Sequence, residues 1–549
     1  MEEERAYSAH VVVLPFHGQG HINPMQQFSK RLASKGLKIT IAALLSVSKS
    51  MQTGAGSVTI EPIYDDCIEG GIGGPGGFKG FLERFEASGK RGLVDLIKKL
   101  ENSKYPVKCL VYDANLPWAL NIAKQLGVAG AAFFTQSCAA IASYYPMHVE
   151  LSGEQLTMPA FSMPGLPKPG FPNLASLGSD TGPYPPVVRL ILNQFSNIEQ
   201  ADWVLFNSFD KLEKEVVKWM ANLWPVRTIG PTVPSFYLDK RVEDDTDFCF
   251  NLYKPKSESC VSWLNTKEPG SVVYVSFGSV ASLNAEQMTE MAWALRQTSY
   301  NFLWVVKITE DSNLPNNFME ETAGKGLVVT CFGVPMVGMP QFLDQMTNAY
   351  FVEKVWAVGV QPKVNENNLA TREEIDRCIS EVMHGERAEE IKKNAKQWKE
   401  FAKEAVDEGG SSDKYINEII ARLTVMDFEP LNIENEVMEF DASGSMEDDT
   451  ATLDLENHDD DYERDYNDES FEGSNPSTSN SALDNGSPRL QSYSLDQDKE
   501  IQALTAELEN ASQQCEAYRA KLSAVLKNLE EQKLKISVKV QNVRLNLRS

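Results

Sequence analysis

Residues 10–25 read HVVVLPFHGQGHINPM, and the side chain in this stretch with the clearest capacity for chemistry is His21. A neutral imidazole near pH 7 can take a proton from a hydroxyl or carboxyl, so His21 is a candidate general base. The elements around it set its position. The apolar run Val11 to Leu14 closes at Pro15 and gives way to Gly18, Gly20 and Pro24, the pattern of a buried strand, a tight loop and a helix start. In a doubly wound sheet, residues just past the carboxyl end of the first strand line the ligand crevice. A helix N-terminus disfavours imidazolium, which leads to the expectation of a neutral ring. The same residues also suit a loop histidine that only hydrogen-bonds locally.

The pattern repeats along the chain. KITIAAL (38–44), KCLVYD (108–113), AGAAFFT (129–135) and ADWVLFNSF (201–209) read as strands, with helices over 93–101 and 139–148. This is a mostly parallel sheet flanked by helices. Residues 156–187, rich in Pro, Gly and Ser, suit a binding loop or lid, or an irregular surface loop. Proline and charge near 225–245 mark a linker, placed at 231–257 between a first domain, 1–230, and a second, 258–425. In SVVYVSFGS (271–279), Phe277, Gly278 and Ser279 close a strand in a way that lets backbone N–H groups approach a phosphate. Strands at 302–307 and 326–330 and helices at 285–297, 347–355, 371–383 and 388–407 complete a second βα series. Two such domains facing each other form a cleft.

Composition narrows the class. The chain has 549 residues, 42% of them hydrophobic, and a net charge of −25. Length alone suggests about three or four units. The acidic excess lies largely after residue 426 and argues against nucleic-acid binding. The eight cysteines, at 67, 109, 138, 249, 260, 331, 378 and 515, show no paired metal-ligand spacing and read as reduced thiols. With no targeting peptide and no apolar run of membrane-spanning length, the expectation is a cytoplasmic protein that meets no membrane.

Over about residues 8–423 the motifs PFHGQGHINPM, LVYDANLPWAL, AAFFTQSCA, ADWVLFNSF, SVVYVSFGS, GVPMVGMPQFLDQMTNA and KEAVDEGGSSDKYINEII resemble plant family 1 UDP-glycosyltransferases of the small-molecule glucosyltransferase branch. The resemblance implies a GT-B fold, an α/β arrangement of two Rossmann-like domains that bind a small acceptor and a UDP-sugar. It implies inverting transfer of glucose from UDP-glucose to a hydroxyl or carboxyl, with no cofactor and no metal. It also implies roles: His21 the base, Asp113 its orienting carboxylate, Ser279 a diphosphate contact, and Asp344 with Gln345 the pair that holds glucose hydroxyls. Without it, Asp113 reads sooner as a cap of the following helix and Asp344 as a surface loop acid.

The chain departs from that family at its donor motif. There the segment after the GLVVT strand opens with W-x-P-Q and runs through a histidine to H-C-G-W-N-S and a glutamate before G-V-P. Here Thr330 is followed by only Cys331 and Phe332 before Gly333. Roughly thirty residues are missing, with the uracil stack, most diphosphate contacts and the ribose-binding glutamate. The expectation is a second domain that lacks a central strand and helix.

Residues 426–497 are acidic and poor in aliphatic side chains, the composition of a disordered segment. In 498–549, Ile501 through Leu529 keep three- and four-residue spacing, a coiled-coil seam that suits self-association or packing on the chain itself. This tail weakly resembles the two ends of plant far-red-impaired-response proteins without their zinc-finger and transposase core. Alongside the transferase reading stands a second: a catalytically inactive fusion or interaction protein that works through the acidic tail and coiled coil.

Overall fold

The structure is a computed structural model that describes residues 6–44, 58–63, 76–153, 185–246, 257–278, 283–306, 313–315, 317–322, 325–328, 336–341 and 343–425. The acidic segment, the coiled-coil helix, Ser279 and the junction from Thr330 to Gly333 lie outside the described residues, as do 156–184 of the irregular insertion.

All five residues of β1 (His10–Leu14) are buried. A strand covered on both faces needs no polar alternation, which is why HVVVL is a continuous apolar run. β2 (Lys38–Ala43) and β4 (Val107–Asp113) pair with it in parallel on either side. With β3 (Val58–Pro62), β5 (Ala129–Phe134), β6 (Trp203–Phe206) and β7 (Val226–Thr228) they form a seven-stranded sheet in the order β3-β2-β1-β4-β5-β6-β7. Every pairing is parallel. Parallel neighbours need crossovers, and the helices of this lobe are α1 (Gln19–Ser34), α2 (Gly77–Glu101), α3 (Trp118–Gln125), α4 (Cys138–Ser152), α5 (Pro185–Asn193) and α6 (Lys214–Met220). The end of the expected irregular insertion, 185–187, is therefore the first turn of α5. Gly92, inside α2, is fixed by packing: a β-carbon there would lie 1.8 Å from the carbonyl oxygen of Ile63.

The second lobe begins the same way and then breaks. β8 (Val272–Val275), β9 (Asn301–Trp304) and β10 (Gly326–Val328) pair in parallel in the order β10-β9-β8, which repeats β3-β2-β1. β11 (Met336–Val337) and β12 (Gly359–Val360) form a separate parallel pair. In the first lobe the strand that continues the sheet beyond β1 is β4. Among the described residues its counterpart beyond β8 is absent. The consequence shows in burial: β1 is covered throughout, whereas Val272, Val273 and Tyr274 are half-exposed. The helices of this half are α7 (Ser257–Leu264), α8 (Ala285–Gln297), α9 (Phe318–Glu321), α10 (Asp344–Tyr350), α11 (Arg372–His384), α12 (Ala388–Val406) and α13 (Ser411–Val425). A single π-turn over Phe351–Val355 extends α10.

The segment read as a linker is fastened along α1. Arg31 forks onto Asp239 at 2.7 and 2.9 Å, and Lys30 meets Asp245 at 2.6 Å. The last helix also returns to the first lobe: Ile416, Ile419 and Leu423 of α13 are buried in its core. Ser412 Oγ donates to Gly230 O at 2.7 Å, and Lys35 and Arg241 reach Asp413 Oδ1 at 2.7 and 3.2 Å. Among the described residues no helix is long and apolar enough to cross a membrane.

Candidate active site

The order of the first sheet reverses between β1 and β4, and such a switch point leaves a crevice outside the carboxyl ends of the two strands. The register pairs Leu14 with Tyr112, so the chain leaves β1 beside Asp113, the last residue of β4. His21 is the third residue of α1 and stands over that point. Its Nδ1–H donates to Asp113 Oδ2 at 2.7 Å, which leaves the Nε2 lone pair to take a proton. The His21 side chain is 26% exposed and that of Asp113 2%. Thr135 Oγ1 lies 3.3 Å from the same Nδ1, and the Phe16 ring packs edge-on at 5.4 Å. Asp113 does not cap the following helix, whose N-cap is Pro117, but its Oδ1 accepts from Asn115 N at 3.0 Å in the turn after β4. One oxygen stabilises the turn and the other faces the imidazole.

Electrostatics at His21 run against the expectation of a ring kept neutral by the helix. Burial lowers its proton affinity, but the charge and hydrogen bond of Asp113, with Asp344 nearby, outweigh burial and hold it above the ordinary histidine value. Magnitudes explain the correction. A helix terminus contributes about 0.3–1 kcal/mol, whereas a hydrogen bond to a charged partner contributes about 1.5–3 kcal/mol.

Of the residues expected to face a sugar, Asp344 comes to the dyad. It opens α10 from the second lobe and is half-buried; burial pushes its carboxyl above the usual range, against hydrogen bonds from Asn348 and Gln136. The preceding residue, Leu343, holds a φ of 59°, a conformation that costs a β-carbon-bearing residue about 1–3 kcal/mol. Gln345 is engaged in its own loop, where its Oε1 accepts from Gln341 N at 2.8 Å. Gln136, Ser137 and Asn348 belong to the site without having been singled out in the sequence. A serine between a strand and a helix is an N-cap signal, and Ser137 does cap α4, but its contact with Asn348 spans 211 residues.

A cavity of about 390 Å³ adjoins two neighbours of the pair, Phe16 and Asn115, with Phe85 and Leu116 also on its apolar side and Asn121 and Arg189 on its polar side; His21 and Asp113 themselves do not line it. Among the described residues no group of three or more His, Cys, Asp or Glu side chains is arranged to hold a metal ion.

Known proteins share this architecture. The family model for UDP-glucoronosyl and UDP-glucosyl transferases matches residues 191–329 and 323–403, two pieces that meet beside the shortened donor motif. UDP-glucosyl transferase 74CD1 of Saponaria officinalis is 42% identical over 466 residues, which cover 76% of this chain and 99% of that protein. Mogroside I-E synthase of Siraitia grosvenorii is 43% identical over 451 residues, 75% of this chain and 98% of its own length. The crystal structure of Os79 from O. sativa in complex with UDP superposes with a TM-score of 0.66 at 33% identity, over 75% of this chain and all of that one (100%). The chain belongs to the plant family 1 UDP-glycosyltransferases and carries their two-lobed GT-B fold.

Proposed function

We propose that the chain acts on a small hydroxyl- or carboxyl-bearing acceptor, with UDP-glucose as donor, and that its acceptor-activating half is the complete one. The observation that carries this reading is the His21–Asp113 hydrogen bond of 2.7 Å at the switch point of the first sheet. His21 Nε2 takes the acceptor proton, and the oxygen so freed attacks the anomeric carbon. Asp113 holds the tautomer and offsets the charge that develops on the imidazolium, while UDP departs with inversion. Asp344 opens α10 within the electrostatic reach of His21, which suits a residue that meets the sugar as it is attacked. Gln345 and Ser279 belong to the same donor side by their place in the family motifs. The cavity of about 390 Å³ suits a small metabolite, with an apolar wall for a ring and amides for its substituents. No cofactor or metal enters these steps.

Donor binding is the weak function, since among the described residues the second sheet has no strand beyond β8 and the motif around Thr330 and Gly333 is short. The test is transfer from radiolabelled UDP-glucose to a panel of phenols and aromatic carboxylic acids. It compares the protein as it is with a form whose segment between Thr330 and Gly333 is restored from the Saponaria officinalis relative. Glucosides formed by the restored protein, and lost in His21→Ala, support the reading. A folded restored protein that glucosylates nothing in the panel, or transfers equally well without His21, overturns it.

A further inference from the structure

Two consecutive residues of the first lobe, Gln136 and Ser137, hold two residues that lie one helical turn apart on α10 of the second. Gln136 hydrogen-bonds the carboxylate of Asp344. Ser137 Oγ donates to Asn348 Oδ1 at 2.7 Å, and Asn348 Nδ2 donates to Asp344 Oδ2 at 2.8 Å. The Asn348 amide is thus used at both ends: its oxygen faces the first lobe and its nitrogen the acid on its own helix. The i,i+4 spacing brings these two side chains onto one face.

The first-lobe end of this chain is rigid. Ser137 caps α4, its Oγ accepting from Ala140 N at 3.3 Å. The next two amides, Cys138 N and Ala139 N, donate to the Glu213 carboxylate at 3.2 and 2.8 Å, and Ser208 Oγ donates to the same group at 2.5 Å. Glu213 is itself buried, so a carboxylate is locked at the positive end of the helix dipole. The second-lobe end is strained: Leu343, at a φ of 59°, aims Asp344 from a backbone conformation that has to be held in place.

We propose that Asn348 is a positioning residue which, by bridging Ser137 to Asp344, sets the Asp344 carboxylate beside His21 and ties the second lobe's influence on the base to a fixed point of the first. The charged and polar groups facing His21 are then Asp113 and Thr135 from the first lobe and Asp344 from the second. Asn348 acts only through Asp344. A truncated side chain at 348 leaves the Ser137 hydroxyl and one Asp344 oxygen without their partner, and the acid moves off the imidazole. The consequence for catalysis rests on His21 being the base; the bridge and its effect on the imidazole do not.

The test is a proton NMR titration of His21 in the full chain, with its resonance assigned by loss in His21→Ala. Asp344→Asn removes a charge that favours imidazolium, so it lowers the His21 midpoint by about half a pH unit or more. Asn348→Ala and Ser137→Ala lower it in the same direction, while Ser137→Thr, which keeps the hydroxyl, holds the wild-type value. In the Asp344→Asn background, Asn348→Ala adds nothing, because residues that act through one another are not additive. An unchanged midpoint in Asn348→Ala and Ser137→Ala at unchanged Tm overturns the proposal, as does an equal effect of Asn348→Ala with and without Asp344, or no effect of Asp344→Asn. If Asn348→Ala does not fold, Ser137→Ala carries the test alone. A restored protein that shows these shifts and transfers no sugar keeps this inference and loses the transferase reading; a restored protein that transfers sugar with unmoved midpoints does the reverse.

Discussion

His21 and Asp113 stand 92 residues apart in the chain and 2.7 Å apart in the fold, because the strands that precede them are parallel neighbours at the point where the sheet order reverses. The folded-state proton affinity of His21 is raised, so the stability this pair supplies is fully present below the ordinary histidine value of 6.5 and is lost as pH rises through the folded value. A base works in its neutral form, so transfer should rise with pH along a limb centred above that ordinary value. His21→Ala should lower turnover by about 10²–10⁴. Asp113→Asn should move the limb to lower pH and reduce the rate while the fold holds, since an amide oxygen can still accept from Asn115 N. A pH–rate profile of the restored enzyme checks both, and an unmoved limb in Asp113→Asn would leave Asp113 as a turn cap alone.

Much of the first lobe could be read from sequence because its signals are local. β1 is a run of apolar residues bounded by Pro15, and His21 follows it at the distance a βα turn requires. Asp113 ends a strand, and strand ends are where such a sheet places ligand-facing groups. What could not be read depends on long-range docking. The sequence of 403–423 gives no sign that Ile416, Ile419 and Leu423 settle on the first core rather than the second. Charges between 225 and 245 look like solvated linker until Arg31 and Lys30 are seen opposite Asp239 and Asp245. Ser137 and Asn348 read as an ordinary cap and an ordinary helix polar residue, because the contact that joins them spans 211 residues. The helix-terminus argument alone points the His21 shift the wrong way, since the carboxylate that outweighs it comes near only on folding.

His10 should make the fold acid-sensitive. At 0% exposure, its Nδ1–H donates to Tyr105 O at 2.8 Å and Thr40 Oγ1 lies 2.8 Å from Nε2, an arrangement that suits the neutral ring. Burial is the main cause that lowers its proton affinity, from 6.5 to about 4. The unfolded chain binds this proton below about 6.5 and the folded chain only near 4, so stability falls as pH drops through that window. The loss is on the order of 3 kcal/mol. Urea unfolding at pH 7 and at pH 4.5 measures it. His10→Gln should flatten the pH slope by about one proton, and an unchanged slope would assign the acid sensitivity to carboxylates.

The return of α13 to the first lobe should matter more for stability than any ion pair that accompanies it. Ile416 is fully buried (0% exposed), whereas the pair that Glu418 of the same helix makes with Arg227 of β7 is half-exposed. Cutting a buried isoleucine back to alanine costs about 2–5 kcal/mol, and an exposed ion pair contributes about 0–1 kcal/mol. Ile416→Ala should therefore lower the urea midpoint clearly, with Glu418→Gln nearly silent. Equal effects would mean that α13 is held by its charges.

The last prediction concerns the edge of β8. In the first lobe β1 is paired on both sides and wholly buried, while among the described residues β8 has one partner, β9, and Val272, Val273 and Tyr274 are partly exposed. By the family resemblance, the strand that would lie against it belongs to the segment shortened between Thr330 and Gly333, and the same segment is expected to carry a uracil stack and a ribose-binding glutamate. Restoring that segment should do two things at once, because one insertion supplies both a strand and a donor site. It should raise Tm and slow amide hydrogen exchange at Val272–Tyr274, as the free edge gains a ladder of hydrogen bonds and the apolar face is covered. It should also strengthen UDP-glucose binding by several orders of magnitude, since each hydrogen bond to a charged diphosphate contributes roughly 1.5–3 kcal/mol. Exchange mass spectrometry and calorimetry read these separately. Protection of β8 without donor binding would mean that the sheet is completed and the site is not, whereas micromolar UDP-glucose binding by the chain before restoration would show that the donor site does not need the missing strand.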